Sequence, residues 1–241
     1  MSARAHEIIP HWLSDSRPSG WATGSLLARW ARLLLGLAVF AGGIAFMVKA
    51  DLGVSSWDVL HDAFRLHTPL TFGGAVIAVS VAVVVISFVL GVKPGPGTIA
   101  NVLLVGAFTD AILATGFLDP LGAASLAVRV GGLVAGILAI ALGTALYIGA
   151  SLGAGPRDSL MLAAARRLGV TAGTARAFIE GSVLLVGALL GGSVGIGTAV
   201  FVIVIGPAIN VSFRAFGMET KSTRRVRRTL NSSDSLSSTK G

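Results

Sequence analysis

Long apolar segments, separated by short polar or glycine-rich breaks, occupy most of this 241-residue chain. An α-helix needs roughly 17–25 mainly apolar residues to cross a bilayer. Six segments reach that length, near residues 28–49, 72–92, 98–118, 128–149, 173–192 and 196–216. The pattern therefore predicts an all-α integral membrane protein with six transmembrane helices.

These spans divide the chain into four regions. We predict a cytoplasmic N-terminal arm at residues 1–27, three spans in residues 28–118, three more in residues 119–217, and a disordered basic cytoplasmic tail at residues 218–241. The arm contains prolines and charges but no apolar stretch at its start, so we expect no cleavable signal peptide.

The composition agrees with a membrane location. Hydrophobic residues make up 54% of the chain, charged residues 12%, and the mean hydropathy is +0.83. A soluble domain carries about 25% charged residues, so a soluble globular enzyme, a coiled coil and a disordered chain are excluded. The absence of cysteine excludes disulfides and thiolate metal sites. The four histidines lack metal-ligand spacing, and we expect neither a metal nor a cofactor.

The basic residues are distributed unevenly across the predicted membrane. With the N-terminus inside, sixteen of the 19 Lys and Arg residues fall on the cytoplasmic side. This excess predicts six spans with both termini in the cytoplasm, in a bacterial inner membrane. The basic tail is then a membrane flank rather than a nucleic-acid site. The expected partners are membrane lipids and an unknown small-molecule substrate, with homo-oligomerisation left open.

The chain matches itself at an offset of 100 residues. Between residues 43–110 and 143–210 there are 19 identities in 68 positions, without a gap. Each half holds three predicted spans, an odd number, so the second half enters the membrane inverted. The sequence therefore predicts two inverted three-helix repeats, a plan that recurs among secondary transporters.

A polar segment follows the first span of each repeat and predicts a broken or re-entrant helix. Ser55-x-x-Asp58 is a capping-box pattern, and Pro156 with Asp158 marks the start of the equivalent helix. One interpretation is capping alone, since an acid in the first turn stabilises a helix. The other is a helix N-terminus that contacts a ligand. The predicted topology puts the two segments on opposite membrane faces, as two gates.

These segments also carry a resemblance to a known family. ADLGVSSWDVLH, ASLGAGPRDSLM, the Arg176-x-x-x-Glu180 segment and GGSVGIGT leading to Gly206-Pro207 resemble the bacterial YczE/YitT-like family of multi-spanning membrane proteins. The resemblance covers about residues 28–216. It implies a membrane protein and adds little about mechanism.

Ionisable residues inside the predicted spans are candidates for function, because a charge at membrane depth is costly. Glu180 follows Arg176 by four residues, on one helix face. The two form a structural pair, or Glu180 couples transport to a proton or cation. Arg157 is either an anion-binding side chain or a residue of the basic cytoplasmic side.

Polar residues of the third and sixth spans extend this set. Asp110 is matched by Asn210 in the repeat, and Asn101 precedes Asp110 on the same span. Asparagine commonly forms hydrogen bonds between helices, whereas Asp110 is predicted to contact a ligand or ion. The candidate substrate- or ion-binding residues are therefore Asp58, Asn101, Asp110, Arg157, Asp158, Arg176, Glu180 and Asn210. His61, Asp62 and His67 are predicted to be solvated or interfacial.

Three hypotheses for function follow. The first is a small secondary transporter or exporter with its site between the repeats and one carboxylate carrying a coupling proton. The second is a membrane scaffold or regulator without transport activity, which the glycine-rich spans and basic tail suit equally. The third is an intramembrane enzyme. The spans contain no catalytic constellation with convincing spacing, so we expect no enzyme.

Overall fold

The computed structural model describes residues 25–216, except for the side chain of Ala172. Within that range there are eight α-helices, one short 3₁₀ helix at Asp119–Leu121 and no strand. The helices are α1 Leu26–Ala50, α2 Ser56–Leu66, α3 Phe72–Val89, α4 Pro96–Ala114, α5 Leu126–Gly149, α6 Pro156–Leu168, α7 Ala172–Leu189 and α8 Ile196–Ala215. The predicted tail, and the predicted arm up to residue 24, lie outside the described residues.

Five of these helices are long and apolar enough to cross a membrane: α1, α3, α4, α5 and α8. A sixth crossing is obtained when α6 and α7, which are bent by 118° relative to each other, count as one broken span. The prediction of an all-α, multi-spanning membrane protein is therefore confirmed, with five to six spans.

Three predicted spans extend beyond the helices that form. The spans at 72–92, 98–118 and 173–192 end as helices at Val89, Ala114 and Leu189. A glycine with positive φ follows each of these ends: Gly91, Gly116 and Gly191 adopt φ values of 94°, 66° and 86°, a left-handed backbone that glycine adopts without strain.

Helices α1 and α5 form the centre of the molecule and run antiparallel. Small residues allow their backbones to meet: a Cβ at Gly43 would lie 2.7 Å from the carbonyl oxygen of Gly136, and one at Gly143 would lie 2.6 Å from that of Gly36. Such close approach is typical of helix packing in membranes. The remaining helices pack around this pair.

Arginines tie the ends of α1 and α5 together in matching ways. Arg29 donates from Nε to the carbonyl oxygen of Ala150 at 2.9 Å. Arg129, 100 residues later, donates from Nε to that of Ala50 at 2.8 Å. Each arginine therefore satisfies a carbonyl that the end of the other helix leaves free.

The breaks after α1 and α5 are held in the same reciprocal manner. The amide of Gly97 donates to the carbonyl oxygen of Leu152 at 2.8 Å, and that of Gly197 donates to Leu52 at 2.7 Å. The start of α4 thus contacts the break before α6, while the start of α8 contacts the break before α2. Residues 100 positions apart therefore form equivalent hydrogen bonds, each from one half of the chain to the other.

One pair of helices does not follow this pattern. In the first half α3 packs closely against α4, where a Cβ on Gly73 would overlap the carbonyl oxygen of Gly106. In the second half α7 and α8 are barely in contact. A Cβ on Gly206 would meet nothing within 4 Å. The molecule is therefore closed between α3 and α4 and open between α7 and α8.

Candidate functional site

A cavity of about 230 Å³ lies where the two halves meet. Seven residues of the first half line it, and each has its counterpart 100 positions later in the lining. The pairs are Phe40 and Ile140, Ser56 and Pro156, Trp57 and Arg157, Val76 and Arg176, Ser80 and Glu180, Asn101 and Phe201, and Val105 and Ile205. Further lining residues come from the second half alone, Gly206 and Asn210 among them, so the cavity extends towards the gap between α7 and α8.

Six of the eight candidate residues line this cavity: Asn101, Arg157, Asp158, Arg176, Glu180 and Asn210. Asp58 lies behind the lining, against Arg157. Asp110 lies elsewhere, with its carboxylate accepting from Thr71 Oγ1 at 2.5 Å and from the amide of Gly73 at 2.7 Å. Asp110 thus fastens α4 to the N-terminus of α3, on the closed side of the molecule.

Asp58 is fully buried in the first turn of α2, and each of its carboxylate oxygens has a partner. Ser55 accepts from the Asp58 amide at 3.2 Å and donates to Oδ2 at 2.5 Å, so the predicted cap is confirmed. His61 Nδ1 bonds Oδ1 at 3.0 Å, and Arg157 Nη2 lies 3.8 Å from the same oxygen. Burial alone would raise the pKa of Asp58, but His61 and Arg157 hold that pKa below its ordinary value.

The prediction of a solvated or interfacial His61 is wrong, because the ring is only 1% exposed. Burial lowers the pKa of His61, so the ring is neutral near pH 7 and Nδ1 donates to Asp58. Asp62 is likewise 6% exposed, and it accepts from Ser193 Oγ at 2.6 Å and from Arg65 at 2.7 Å. Asp62 therefore fastens α2 to the break before α8.

Arg157 connects the first turns of α2 and α6. Its guanidinium lies 5.2 Å from the ring centre of Trp57 and 5.9 Å from that of Phe40, in addition to the contact with Asp58. Arginine over aromatic faces is a favourable arrangement. The prediction that the two polar segments lie on opposite faces is therefore wrong for these first turns, which meet inside the molecule.

Asp158 occupies the same place in α6 as Asp58 in α2, with far fewer partners. Tyr147 donates from its hydroxyl to Asp158 Oδ2 at 3.1 Å. The positions of Ser55 and His61 are taken by Gly155 and Met161, which offer no hydrogen bond to a carboxylate. Within residues 25–216 no Lys, Arg or His nitrogen forms an ion pair with Asp158.

Arg176 and Glu180 form the predicted i,i+4 pair on α7, with 2.9 Å between Arg176 Nε and Glu180 Oε1. Both side chains are partly exposed towards the cavity. The part of the chain that the structure describes contains no group of three or more His, Asp and Glu residues able to hold a metal ion.

Sequence reasoning missed the aromatic residues of the site. Phe40, Trp57 and Tyr147 line the cavity, yet aromatic residues in apolar spans are ordinarily packing residues. Tyr147 carried a signal: it is the one tyrosine of the chain, and it precedes the break before α6 by a few residues. A phenol inside a span needs a hydrogen-bond partner, and Asp158 provides it.

The fold and cavity define a multi-pass membrane protein, and comparison with known proteins assigns its family. Residues 27–214 match the family of unknown function DUF6198, so the chain belongs to that family, and the predicted YczE-like relationship is confirmed. It is 33% identical to an uncharacterised protein of Haemophilus influenzae over 195 residues, 79% of this chain and 88% of that protein.

It is also 30% identical to the uncharacterised membrane protein YczE of Bacillus subtilis over 192 residues, 78% of this chain and 86% of that protein. No solved structure matches the chain.

Proposed function

We propose that this protein is a small secondary transporter or exporter built from two inverted three-helix repeats. The observation that carries the proposal is the cavity itself. Its first-half lining residues are all matched by their counterparts 100 positions later, so the cavity lies on the axis that would relate two repeats. Sites at such an axis are typical of transporters with inverted repeats.

The difference between the closed pair α3–α4 and the open pair α7–α8 suggests the conformational change that transport requires. If the two repeats have the same architecture, α3 and α4 can adopt the open arrangement that α7 and α8 have now. Likewise, α7 and α8 can adopt the closed arrangement of α3 and α4. In the second state α7 closes on α8, with Gly173 and Asn210 in the places that Gly73 and Asp110 occupy now. The gap between α3 and α4 then opens, and the cavity is exposed to the opposite side.

The charge distribution gives this exchange a direction relative to the membrane. The open side carries Arg166 and Arg167 at the end of α6 and Arg214 at the end of α8. By the excess of basic residues in the cytoplasm, this side faces the cytoplasm of a bacterial inner membrane, with both termini inside. The described conformation is then open to the cytoplasm.

A cysteine cross-link tests the proposal without knowledge of the substrate. On the closed side, a Cβ on Gly73 would lie 2.6 Å from Asp110 Cγ, so side chains at these two positions are in direct contact, as a disulfide requires. The chain has no natural cysteine. The double variant Gly173→Cys with Asn210→Cys is therefore expected to cross-link under mild oxidation, because α7 and α8 meet in the second state.

The matched control is each of these substitutions alone, which leaves one thiol and no cross-link. An impermeant maleimide should label Asn210→Cys from the cytoplasmic face, and closure by the double variant should remove cytoplasmic access to a third cysteine at Ser80. If the double variant stays reduced under oxidation that cross-links pairs on other touching helices, α7 and α8 do not close. The molecule is then a static scaffold or regulator.

A further inference from the structure

We propose that the cavity binds a small organic cation, a protonated amine, on the carboxylate of Asp158. The inference rests on the proposed function for its biological meaning, but its test requires only binding. It starts from the charges that surround the cavity and from the partners that each of them has.

The ionisable groups leave one carboxylate in excess. Both guanidinium groups are engaged by acids: Arg157 with Asp58 at 3.8 Å and Arg176 with Glu180 at 2.9 Å. Asp158 has a single hydroxyl donor, from Tyr147. An ionised carboxylate at this depth needs a compensating charge, and a monovalent cation in the cavity supplies it.

The surroundings of Asp158 suit an organic amine. Tyr147 lies edge-on to Phe40, with ring centres 6.1 Å apart, and both rings line the cavity with Phe201. Aromatic faces attract ammonium groups and cover their alkyl substituents. Ser56, which also lines the cavity, has a buried hydroxyl with no hydrogen-bond partner among the described residues. The cavity volume of about 230 Å³ is sufficient for a small amine such as n-butylamine.

A proton and an amine compete for the same carboxylate. The charged and titratable groups that face Asp158 are Tyr147 on α5, Arg157 on its own helix, and Arg176 and Glu180 on α7, with Asp58 and His61 behind Arg157. Release of one cation allows the other to bind. Asp158 therefore exchanges an amine for a proton, which is the chemistry of an amine–proton antiporter.

The experiment measures binding of n-butylamine to the purified full-length protein in detergent, with butyrate as the probe of equal length and opposite charge. Two readouts are used: the midpoint of thermal unfolding, which rises with bound ligand, and the fluorescence of Trp57. For the latter, Trp12, Trp21 and Trp30 are replaced by Phe. Butylamine should raise the midpoint and change the fluorescence saturably, and butyrate should do neither.

Asp158→Asn should weaken butylamine binding at least tenfold, whereas Asp110→Asn, which removes a carboxylate outside the cavity, should leave it unchanged. If Asp158→Asn fails to fold, Tyr147→Phe is the second variant. It keeps the acid, so it should change the butylamine affinity only a few fold. Lowering the pH should weaken amine binding in the unmodified protein. Equal effects of butyrate, or full binding by Asp158→Asn, would overturn the inference.

The two proposals fail separately. Amine binding by a protein whose Gly173→Cys, Asn210→Cys pair never cross-links supports the cation site and removes the transport mechanism. Cross-linking without any response to butylamine supports the transport mechanism and overturns the cation site.

Discussion

The first turns of α2 and α6 are equivalent in the chain and opposite in chemistry. Asp58 is surrounded by a serine, a histidine and an arginine, and its carboxylate is buried behind the cavity lining, away from a ligand in the cavity. Asp158, at the same point of its helix, has one tyrosine hydroxyl. The same backbone position thus holds a structural acid in one half and an available acid in the other.

Three pairs of equivalent residues produce this difference. Ser55 and His61 in the first half correspond to Gly155 and Met161 in the second. The third pair acts across the halves: Arg157 reaches Asp58, whereas Trp57, its counterpart, brings no charge to Asp158. The comparison teaches that the same position in a helix can hold either kind of acid, depending on the residues that surround it.

The largest expected effect comes from removing the acids themselves. Asp58→Ala leaves the buried His61 and the partly exposed Arg157 without their acceptor, and it should cost about 2–4 kcal/mol of stability. Asp158→Ala should cost less, about 1 kcal/mol, because only the buried Tyr147 hydroxyl loses its acceptor. Unfolding in a denaturing detergent, followed by circular dichroism, measures both. Similar losses in the two variants would break the comparison.

The second largest difference in stability is expected between substitutions of Gly73, in the closed helix pair, and Gly173, in the open pair. Gly73→Ala forces a methyl group into the backbone of α4 and should cost about 1–3 kcal/mol. Gly173→Ala meets open space and should change stability by less than about 0.5 kcal/mol. The same unfolding assay gives both values. A large loss for Gly173→Ala would indicate that α7 and α8 are packed together in most molecules.

Replacing His61 by the residue of its counterpart should have a smaller effect. His61→Met removes a hydrogen bond to a buried carboxylate, but it also removes the ring nitrogen that has no partner among the described residues. A net loss of about 1 kcal/mol is expected. The reverse change, Met161→His, should bring a second donor to Asp158 and weaken butylamine binding. Unchanged amine affinity in Met161→His would count against this assignment of roles.

The smallest effect belongs to the N-cap of α6. Gly155→Ser supplies a capping hydroxyl, but its Cβ would lie 3.2 Å from the Tyr147 hydroxyl, so it should change stability by less than about 0.5 kcal/mol. Ser55→Gly should cost more, about 1 kcal/mol, because it also removes a hydrogen bond to the buried Asp58 carboxylate. Gly155→Ser should also give Asp158 the hydroxyl partner that Asp58 has, and so lower the amine affinity. Thermal midpoints with and without butylamine separate the two effects.

The local features of this fold were predictable from the sequence. The helix starts at Ser55 and Gly155 and the Arg176–Glu180 pair depend on residues close in the chain, and all are present. The position of His61 was not predictable, because its burial depends on how deeply α2 enters the molecule. Nor was the meeting of Arg157 with Asp58, a contact across the two halves.

The opening between α7 and α8 was the least predictable feature. Gly73 and Gly173 are the same residue at equivalent positions, and both permit close packing. A sequence with this symmetry is compatible with either helix pair being closed. Under the proposed exchange, the pair that is closed is decided by a small difference in free energy between two arrangements, and residue patterns do not reveal such a difference.

The reciprocal arginines at the ends of α1 and α5 also set an order in time. The carbonyl oxygens at the end of α1 are completed by Arg129, a residue that the ribosome adds about eighty positions later. Unsatisfied carbonyls are costly in lipid. The first half therefore leaves the ribosome with backbone acceptors that gain their hydrogen-bond donor only when the second half is made. Neither half is a finished unit, and assembly of the molecule is completed when α5 inserts beside α1.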